Sequence, residues 1–381
     1  MLAGCSTLFQ AGPTRDASGK KPFYQRISGF DAGGLNCLVD DLDGNGLPDL
    51  IFTSHGPSFT QPFYQDSPRK WRKGPKIMEV GFHPNGIIGL PGPSKTFISV
   101  SEGVNQLICM RPDQKTGLRV EGSVGIAQPR FTTQFKWPGW GLSLAVSPFS
   151  GQIVSILKNF DPETCKGGGF YYLVPKEPGV HDIPGRIEAA DIDSDGIAEL
   201  LFTTRRTDEL WQIKYPGVGE KPLLERLWKF PGGRAEWIIP FDFDLDGDLD
   251  LIVPQAVTSE LTILENDGQG TFKPNYNISF PVPPGPSYTE IKRDENGDVI
   301  IAAGAYHFMV LMRISGGNWK DIETLRLPVA VWPSYINLGD IDRDGSLDLV
   351  ATMKGSGTAP LIVYGPLWRN FEKLVRQGNS F

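Results

Sequence analysis

Short apolar runs of about five residues, broken at close intervals by Gly, Pro, Asp and Asn, fill the chain from end to end. The stretch "LDLIVPQAVTSELTILENDGQGTF" (249–272) shows the pattern: an apolar run, a turn, an alternating β-branched run, then a Gly-rich turn. Runs of this length bounded by turn residues read as strands. Helical periodicity sustained over ten or more residues is hard to find. The pattern predicts an all-β protein of many short strands.

One turn recurs. "DLDGNGLPDLIF" from Asp41 returns as "DIDSDGIAELLF" from Asp191, "DFDLDGDLDLIV" from Asp242 and "DIDRDGSLDLVA" from Asp340, with a worn copy, "KRDENGDVIIAA", from Lys292. Successive starts differ by 150, 51, 50 and 48 residues, so one repeat of about fifty residues explains every gap if two units between 41 and 191 lack the acids. "KTFISVSEGVNQLICM" (95–110) and "WGLSLAVSPFSGQIVSILKN" (140–159) supply those two as strand pairs without carboxylates, giving seven units that begin near 41, 88, 146, 191, 242, 292 and 340. Four-stranded units at a period of roughly 40–50 residues are the signature of propeller blades. A β-sandwich or solenoid explains the fixed period less well. "KPFYQRIS" (21–28) is the candidate strand to complete the blade ending near "PLIVYGPLWRNF" (360–371), since closing the ring removes exposed sheet edges. The propeller is thus expected over 21–372, between a tether at 1–20 and a tail at 373–381.

The turn itself has the spacing D-x-[DN]-x-[DN]-G-x-x-[DE]. Carboxylates at alternate positions converge on one side, glycine at the sixth allows the sharp turn, the seventh residue offers a carbonyl, and an acid at the ninth completes an oxygen cage suited to calcium. The expected ligands are Asp41, Asp43, Asn45, Leu47 and Asp49; Asp191, Asp193, Asp195, Ile197 and Glu199; Asp242, Asp244, Asp246, Asp248 and Asp250; and Asp340, Asp342, Asp344, Ser346 and Asp348. That makes up to four Ca2+ ions. An EF-hand would need a bidentate Glu at the twelfth position, where this chain has Phe52, Phe202, Val253 and Ala351 inside strand-like runs. Magnesium prefers a rigid, partly hydrated octahedron and suits the loops less. The worn loop keeps Asp294 and Asn296 but has Ile300 at the ninth position, and no ion is expected there.

These motifs resemble the FG-GAP/VCBS repeat family, the blades of integrin α-subunit heads and of many bacterial surface proteins. The resemblance spans about residues 21–371 and is specific at the four acidic turns. It implies a seven-bladed propeller whose calcium loops join the first and second strands of a blade and brace the structure. It also implies a bacterial envelope setting, while leaving activity open, because the family hosts adhesins, lectins, enzyme-associated subunits and some lyases.

Composition narrows the partners. A net charge of −7 argues against nucleic acid. No run reaches the roughly 18 apolar residues of a spanning helix. "MLAGC" places Cys5 as the lipidated cysteine of a lipoprotein signal whose usual basic and apolar regions are missing; a chance match on a different start is the rival reading. A lipid anchor at Cys5 would be the chain's link to a membrane, and the expected location is the cell envelope (periplasm or outer membrane), or secretion. Of the remaining cysteines, Cys37 reads as a buried apolar residue, and a Cys109–Cys165 bridge is one option.

If the acidic turns follow the innermost strands, the segments leading into those strands lie on the opposite face. "PGWGLS" (138–143), "PGRIE" (184–188), "GGRAEW" (232–237), "GPSYTE" (285–290) and "WPSYIN" (332–337) would gather Trp140, Arg186, Glu188, Arg234, Glu236, Trp237, Tyr288, Tyr335 and Asn337 on one rim. Aromatic faces beside charges suit a glycan or a protein loop; channel packing is the rival explanation. Enzyme motifs fail: the four histidines are scattered without metal spacing, no nucleophile elbow occurs, and "GLPGPSKT" (89–96) reads as a turn and not a phosphate loop. The expected function is a non-catalytic calcium-binding propeller that binds a protein or carbohydrate partner. The alternatives are a polysaccharide lyase-type enzyme on the same scaffold, or an accessory subunit of a membrane complex.

Overall fold

The computed structural model describes residues 22–378 except 31–32, 114, 174–181, 216, 236, 281–287, 317–320 and 356–357. The described strands form seven four-stranded antiparallel sheets, the blades of a propeller. Blade 1 runs Gly34–Asp40, Asp49–Ser54, Phe59–Ser67 and Lys70–Lys73; blades 2 to 6 begin at Pro84, Pro129, Pro184, Ile239 and Tyr288. Blade 7 (Pro333–Gly339, Asp348–Met353, Leu361–Val363) takes its fourth strand, Tyr24–Arg26, from the far end of the chain, with Tyr24 opposite Val363. Within the segment expected to do so, Tyr24–Arg26 thus closes the ring.

The first strands of successive blades touch one another around the axis, blade 7 against blade 1 included. Second strands lie in the middle of each blade and are buried at every position apart from Leu142 in blade 3, as in Asp49–Ser54, Asp250–Gln255 and Asp348–Met353. Fourth strands face outward, and Leu223–Lys229 is largely exposed. Burial on both faces is why the middle strands read as continuous apolar runs. Seven apolar clusters among the described residues each join two neighbouring blades, so the core is distributed over the interfaces.

Two features depart from the sequence reading. Blade 3 begins at Pro129, so its first turn is 137–141; the unit start near 146 falls inside its second strand, Leu142–Pro148. No acid marks that turn, and the Ser150-Gly151 hairpin after it was the stronger punctuation. Secondly, a helix spans Leu367–Arg376, across the expected boundary at 372, and buries Leu367, Phe371 and Leu374 against blades 6 and 7. Those three sit on one helical face (i, i+4, i+7), a short pattern masked by its strand-rich surroundings. The bridge that the sequence left open is formed: Cys109 and Cys165 make a disulfide between blades 2 and 3, and Cys37 is free and buried, as expected. No helix among the described residues is long and apolar enough to cross a membrane.

Candidate functional sites on the two faces

All four acidic turns join the first and second strands of their blades, at 41–48, 191–198, 242–249 and 340–347. Their sixth-position glycines, Gly46, Gly196, Gly247 and Gly345, have φ of 86°, 85°, 99° and 87°, a left-handed conformation that costs glycine least. The first acid turns inward and accepts backbone N–H groups: Asp41 from Gly44, Asn45 and Gly46, Asp191 from Asp195 and Gly196, and Asp340 from Asp344 and Gly345. The ninth-position acid pins the loop to its blade. Asp49 accepts from Leu42 N and Gln65 N at 2.8 and 2.7 Å, and Asp250 accepts from Phe243 N and Asn266 N at 3.1 and 2.9 Å.

Carboxylate oxygens converge within 4.8 Å for Asp41, Asp43 and Asp49; for Asp191, Asp193 and Glu199; for Asp242, Asp244 and Asp246; and for Asp340, Asp342 and Asp344. Burial pushes Asp49 and Asp250 up to about 6 and Glu199 and Asp348 up to about 7. Asp248 also rises to about 6, by burial and then by its acidic neighbours. One carboxylate oxygen each of Asp193, Asp248 and Asp342 is buried without a hydrogen-bond partner. An all-oxygen donor set with orphaned buried oxygens fits a hard divalent cation such as calcium. In the worn loop, Asp294 accepts from Asn296 N and Asp298 N, closing the turn on itself.

Each acidic loop is also held from the next blade. Lys95 of blade 2 reaches the Asp41 carbonyl, Asn266 of blade 5 donates to Ile192 O at 2.7 Å, and Arg293 of blade 6 donates to Asp242 O and Phe243 O. Blade 7's loop is held by two groups of blade 1: Gln65 donates to Ile341 O at 2.8 Å, and Arg69 pairs with Asp342 and Asp344.

The opposite face, where the chain leads into each innermost strand, carries a cavity of about 460 Å³ over the channel mouth. Its aromatic wall is Phe131, Trp237 and Tyr288, with Trp237 edge-on to both partners at 5.7 and 5.4 Å. A hollow of about 150 Å³ continues it towards Trp332. The Trp237 indole N–H is buried and has no protein acceptor among the described residues. Arg130 and Lys354 project at the edge, and neither makes an ion pair among the described residues; Arg130 instead lies over the rings of Phe131 and Phe149.

Of the expected rim residues, Trp237, Tyr288 and Tyr335 line this cavity. Arg186 and Glu188 lie deeper, on the innermost strand of blade 4, paired with each other, with Arg186 stacked on Trp237 at 4.1 Å. Burial alone would lower Arg186, but Glu188, Tyr335 and Glu290 together hold it above its ordinary value. Burial raises Glu188 despite that guanidinium, and raises Glu290 despite Arg186 and Lys292, with Glu188 adding to the rise of Glu290. Tyr335 is pushed up to about 12 by burial. Asn337 is on the innermost strand of blade 7, and Arg234 is exposed at the approach to blade 5. Glu236, His181 and Cys5 lie outside the described residues.

Trp140 does not belong to this face. It sits in the first turn of blade 3, on the side of the acidic loops, packed on Trp137 at 5.0 Å. Trp137 donates to Ala198 O in blade 4's acidic turn, and Tyr215 donates to Pro138 O. The true lead-in segment of blade 3 is "QPRFTT" (128–133), which supplies Arg130 and Phe131. Its Pro-x-aromatic pattern matches "PSY" at 286–288 and 333–335, a signal that could have found it. The sequence reading also missed His55, His83 and Glu102, whose ligand atoms lie within 4.8 Å of one another beside the cavity. The His55 and His83 rings stack at 4.0 Å, and burial, then His83 and the cations Lys354 and Arg130, lower His55.

No protein-family model matches the chain, and no curated protein is significantly similar to it in sequence. Solved structures do match. Virginiamycin B lyase from Staphylococcus aureus aligns with a TM-score of 0.58 at 14% identity, covering 89% of this chain and 98% of its own. The periplasmic gluconolactonase of Pseudomonas aeruginosa aligns with a TM-score of 0.53 at 13% identity, covering 87% and 99%. The likeness is one of fold.

Proposed function

We propose that the chain is a calcium-braced propeller of the FG-GAP/VCBS type that binds a carbohydrate or protein partner through its lead-in face, at a bacterial cell envelope or after secretion. The cavity carries the reading. Its wall of Phe131, Trp237 and Tyr288, its two cations without ion-pair partners among the described residues, and a buried indole N–H without an acceptor suit a ligand with an apolar face and a carboxylate. A uronate-bearing glycan or an acidic protein loop has both. The Cys109–Cys165 disulfide supports an oxidising compartment, and Cys5 would be the lipid anchor. In each acidic turn the ion would be held by the first, third, fifth and ninth side chains, such as Asp242, Asp244, Asp246 and Asp250, and it would supply positive charge that stiffens a blade interface.

A glycan array followed by calorimetry tests the partner reading. Binding of a uronate oligosaccharide should weaken tenfold or more in Trp237→Ala and in Arg130→Ala, with thermal stability in Arg130→Ala close to that of the unaltered protein. Binding that survives both substitutions would move the partner elsewhere. A lyase-type enzyme is the second reading, favoured by His55 and Tyr288, which place acid–base groups on the cavity wall. New ultraviolet absorbance on incubation with uronic-acid polymers would establish it.

A further inference from the structure

The lead-in face holds a second group of side chains that neither the acidic loops nor the aromatic wall uses. His55 comes from the hairpin between the second and third strands of blade 1, His83 from the residue before blade 2, and Glu102 from the short helical turn Glu102–Val104 in blade 2. Far apart in sequence, they meet at the interface between blades 1 and 2 because both hairpins return to this face. Backbone bonds fix their positions. Glu102 N donates to His83 O at 3.2 Å, His83 N donates to Ser58 Oγ, and Ser58 Oγ donates to His55 O, the last two both at 3.3 Å. His83 has φ of 55°, a conformation uncommon for a residue with a side chain, which aims its ring at His55.

The chemistry of the group points to a metal. Neither imidazole makes a side-chain hydrogen bond among the described residues, so their nitrogen lone pairs have no protein donor. Asn85 donates to one oxygen of Glu102 and so orients the carboxylate, one oxygen of which lies within 4.8 Å of a nitrogen of each ring. That is the arrangement of a ligand held by a neighbouring amide. Two imidazole nitrogens and one carboxylate oxygen suit borderline first-row cations such as Zn2+, Ni2+ or Co2+, whereas calcium takes oxygens alone. Tetrahedral bonds of about 2.0–2.2 Å place ligand atoms about 3.3–3.6 Å apart, so the spread of 4.8 Å closes by side-chain rotation.

We propose that His55, His83 and Glu102 form a mononuclear site for a first-row divalent transition cation or zinc, separate from the calcium loops, with its open coordination positions facing the lead-in cavity. His55 and Glu102 both line that cavity, beside Arg130 and Lys354. An ion there would join two positively charged side chains around one opening and favour an anionic oxygen ligand. The site itself stands apart from the partner reading, because the ion alone is the probe.

The test titrates the protein with Zn2+ by calorimetry in the presence of excess Ca2+, which occupies all-oxygen sites, and follows Co2+ by its visible absorption. One equivalent should bind, with intense bands of tetrahedral or five-coordinate Co2+. His55→Ala and Glu102→Gln should each weaken it tenfold or more. His307→Ala, on a hairpin of blade 6, should leave it unchanged. The calcium-dependent thermal shift shows that each variant is folded, and either of the two substitutions carries the test if the other does not fold. Absence of a saturable equivalent under excess Ca2+, unaltered affinity in the variants, or an equal loss in His307→Ala would overturn the site.

Discussion

Arg69 is where the logic of the acidic loops can be measured. Its guanidinium pairs with Asp342, whose side chain is fully buried, and with Asp344 at 3.0 Å, donates to Pro22 O at 3.1 Å, and lies 4.3 Å from the Tyr364 ring. It therefore ties blade 1 to blade 7's acidic loop and to the residues just before the closing strand. Replacing it with Met keeps the aliphatic stem and removes the charge. Without calcium, Asp342 becomes a buried unpaired carboxylate, which costs about 3 kcal/mol or more; Asp344, partly exposed, adds little. With calcium in the loop, the ion supplies the missing positive charge, and the remaining loss is one hydrogen bond and one ring contact, about 1 kcal/mol. By linkage, calcium should bind that loop more tightly in the variant by the difference of about 2 kcal/mol, roughly 30-fold. Urea unfolding followed by tryptophan fluorescence, in chelator and in calcium, reads both numbers. Equal destabilisation in the two conditions, or a loss well under 1 kcal/mol in chelator, would refute the idea that guanidinium and cation share these carboxylates.

Other consequences are simpler to check. Chelation of the unaltered protein should lower its melting temperature by several degrees in calorimetry, since one site filled at 100 times its dissociation constant contributes about 2.7 kcal/mol; an unchanged curve would sink the calcium assignment. In chelator, stability should fall as pH rises. Asp49 and Asp250 are held up near 6 and Glu199 and Asp348 near 7, so the fold binds protons more tightly than the unfolded chain. Their contribution is complete below about pH 4 and lost as pH climbs through these values. Melting in chelator at about pH 8 should therefore lie below that at about pH 5, and calcium should shrink the gap; a higher melting temperature at the alkaline pH would contradict the burial of these acids. Replacing both Cys109 and Cys165 with Ser removes a crosslink across 56 residues and should cost about 4 kcal/mol in chemical unfolding; a loss under 1 kcal/mol would show that the interface between blades 2 and 3 holds without it.

The fold was legible because its punctuation is chemical. Four acidic turns in register and a strand-like 21–28 suffice to count seven blades and find the closing strand, and both depend on local sequence. The phase of blade 3 was not legible, because 137–141 lacks acids and its Trp137 and Trp140 look like any aromatic pair; that slip of one strand carried Trp140 to the wrong face and hid Arg130 and Phe131. The cluster of His55, His83 and Glu102 has no sequence spacing at all, since it is made by two hairpins of adjacent blades meeting at one face. The helix at Leu367–Arg376 was masked by a different cause: ten residues give barely three turns of periodicity against a background of strands.

The uneven distribution of acidic loops follows from what each interface otherwise has. A propeller closes only if all seven blade interfaces hold, and blades touch mainly through side chains, so each needs a fastening on the acidic-loop side. Interfaces 1/2, 4/5, 5/6 and 7/1 have an acidic loop clasped by Lys95, Asn266, Arg293, or Gln65 with Arg69. In the other three the leading blade (2, 3 or 6) has no complete acidic loop for the next blade to clasp, and the interface carries something else. Blades 2 and 3 share the Cys109–Cys165 bridge, and Arg111 of blade 2 donates to Pro162 O of blade 3 at 2.8 Å. Blades 3 and 4 share the cluster of Trp137, Trp140 and Tyr215, tied by the Trp137 indole to Ala198 O. Blades 6 and 7 share the C-terminal helix, and Glu295 of the worn loop accepts from Leu347 N at 3.3 Å. A worn acidic turn is then tolerated where a covalent, aromatic or helical contact already holds the interface.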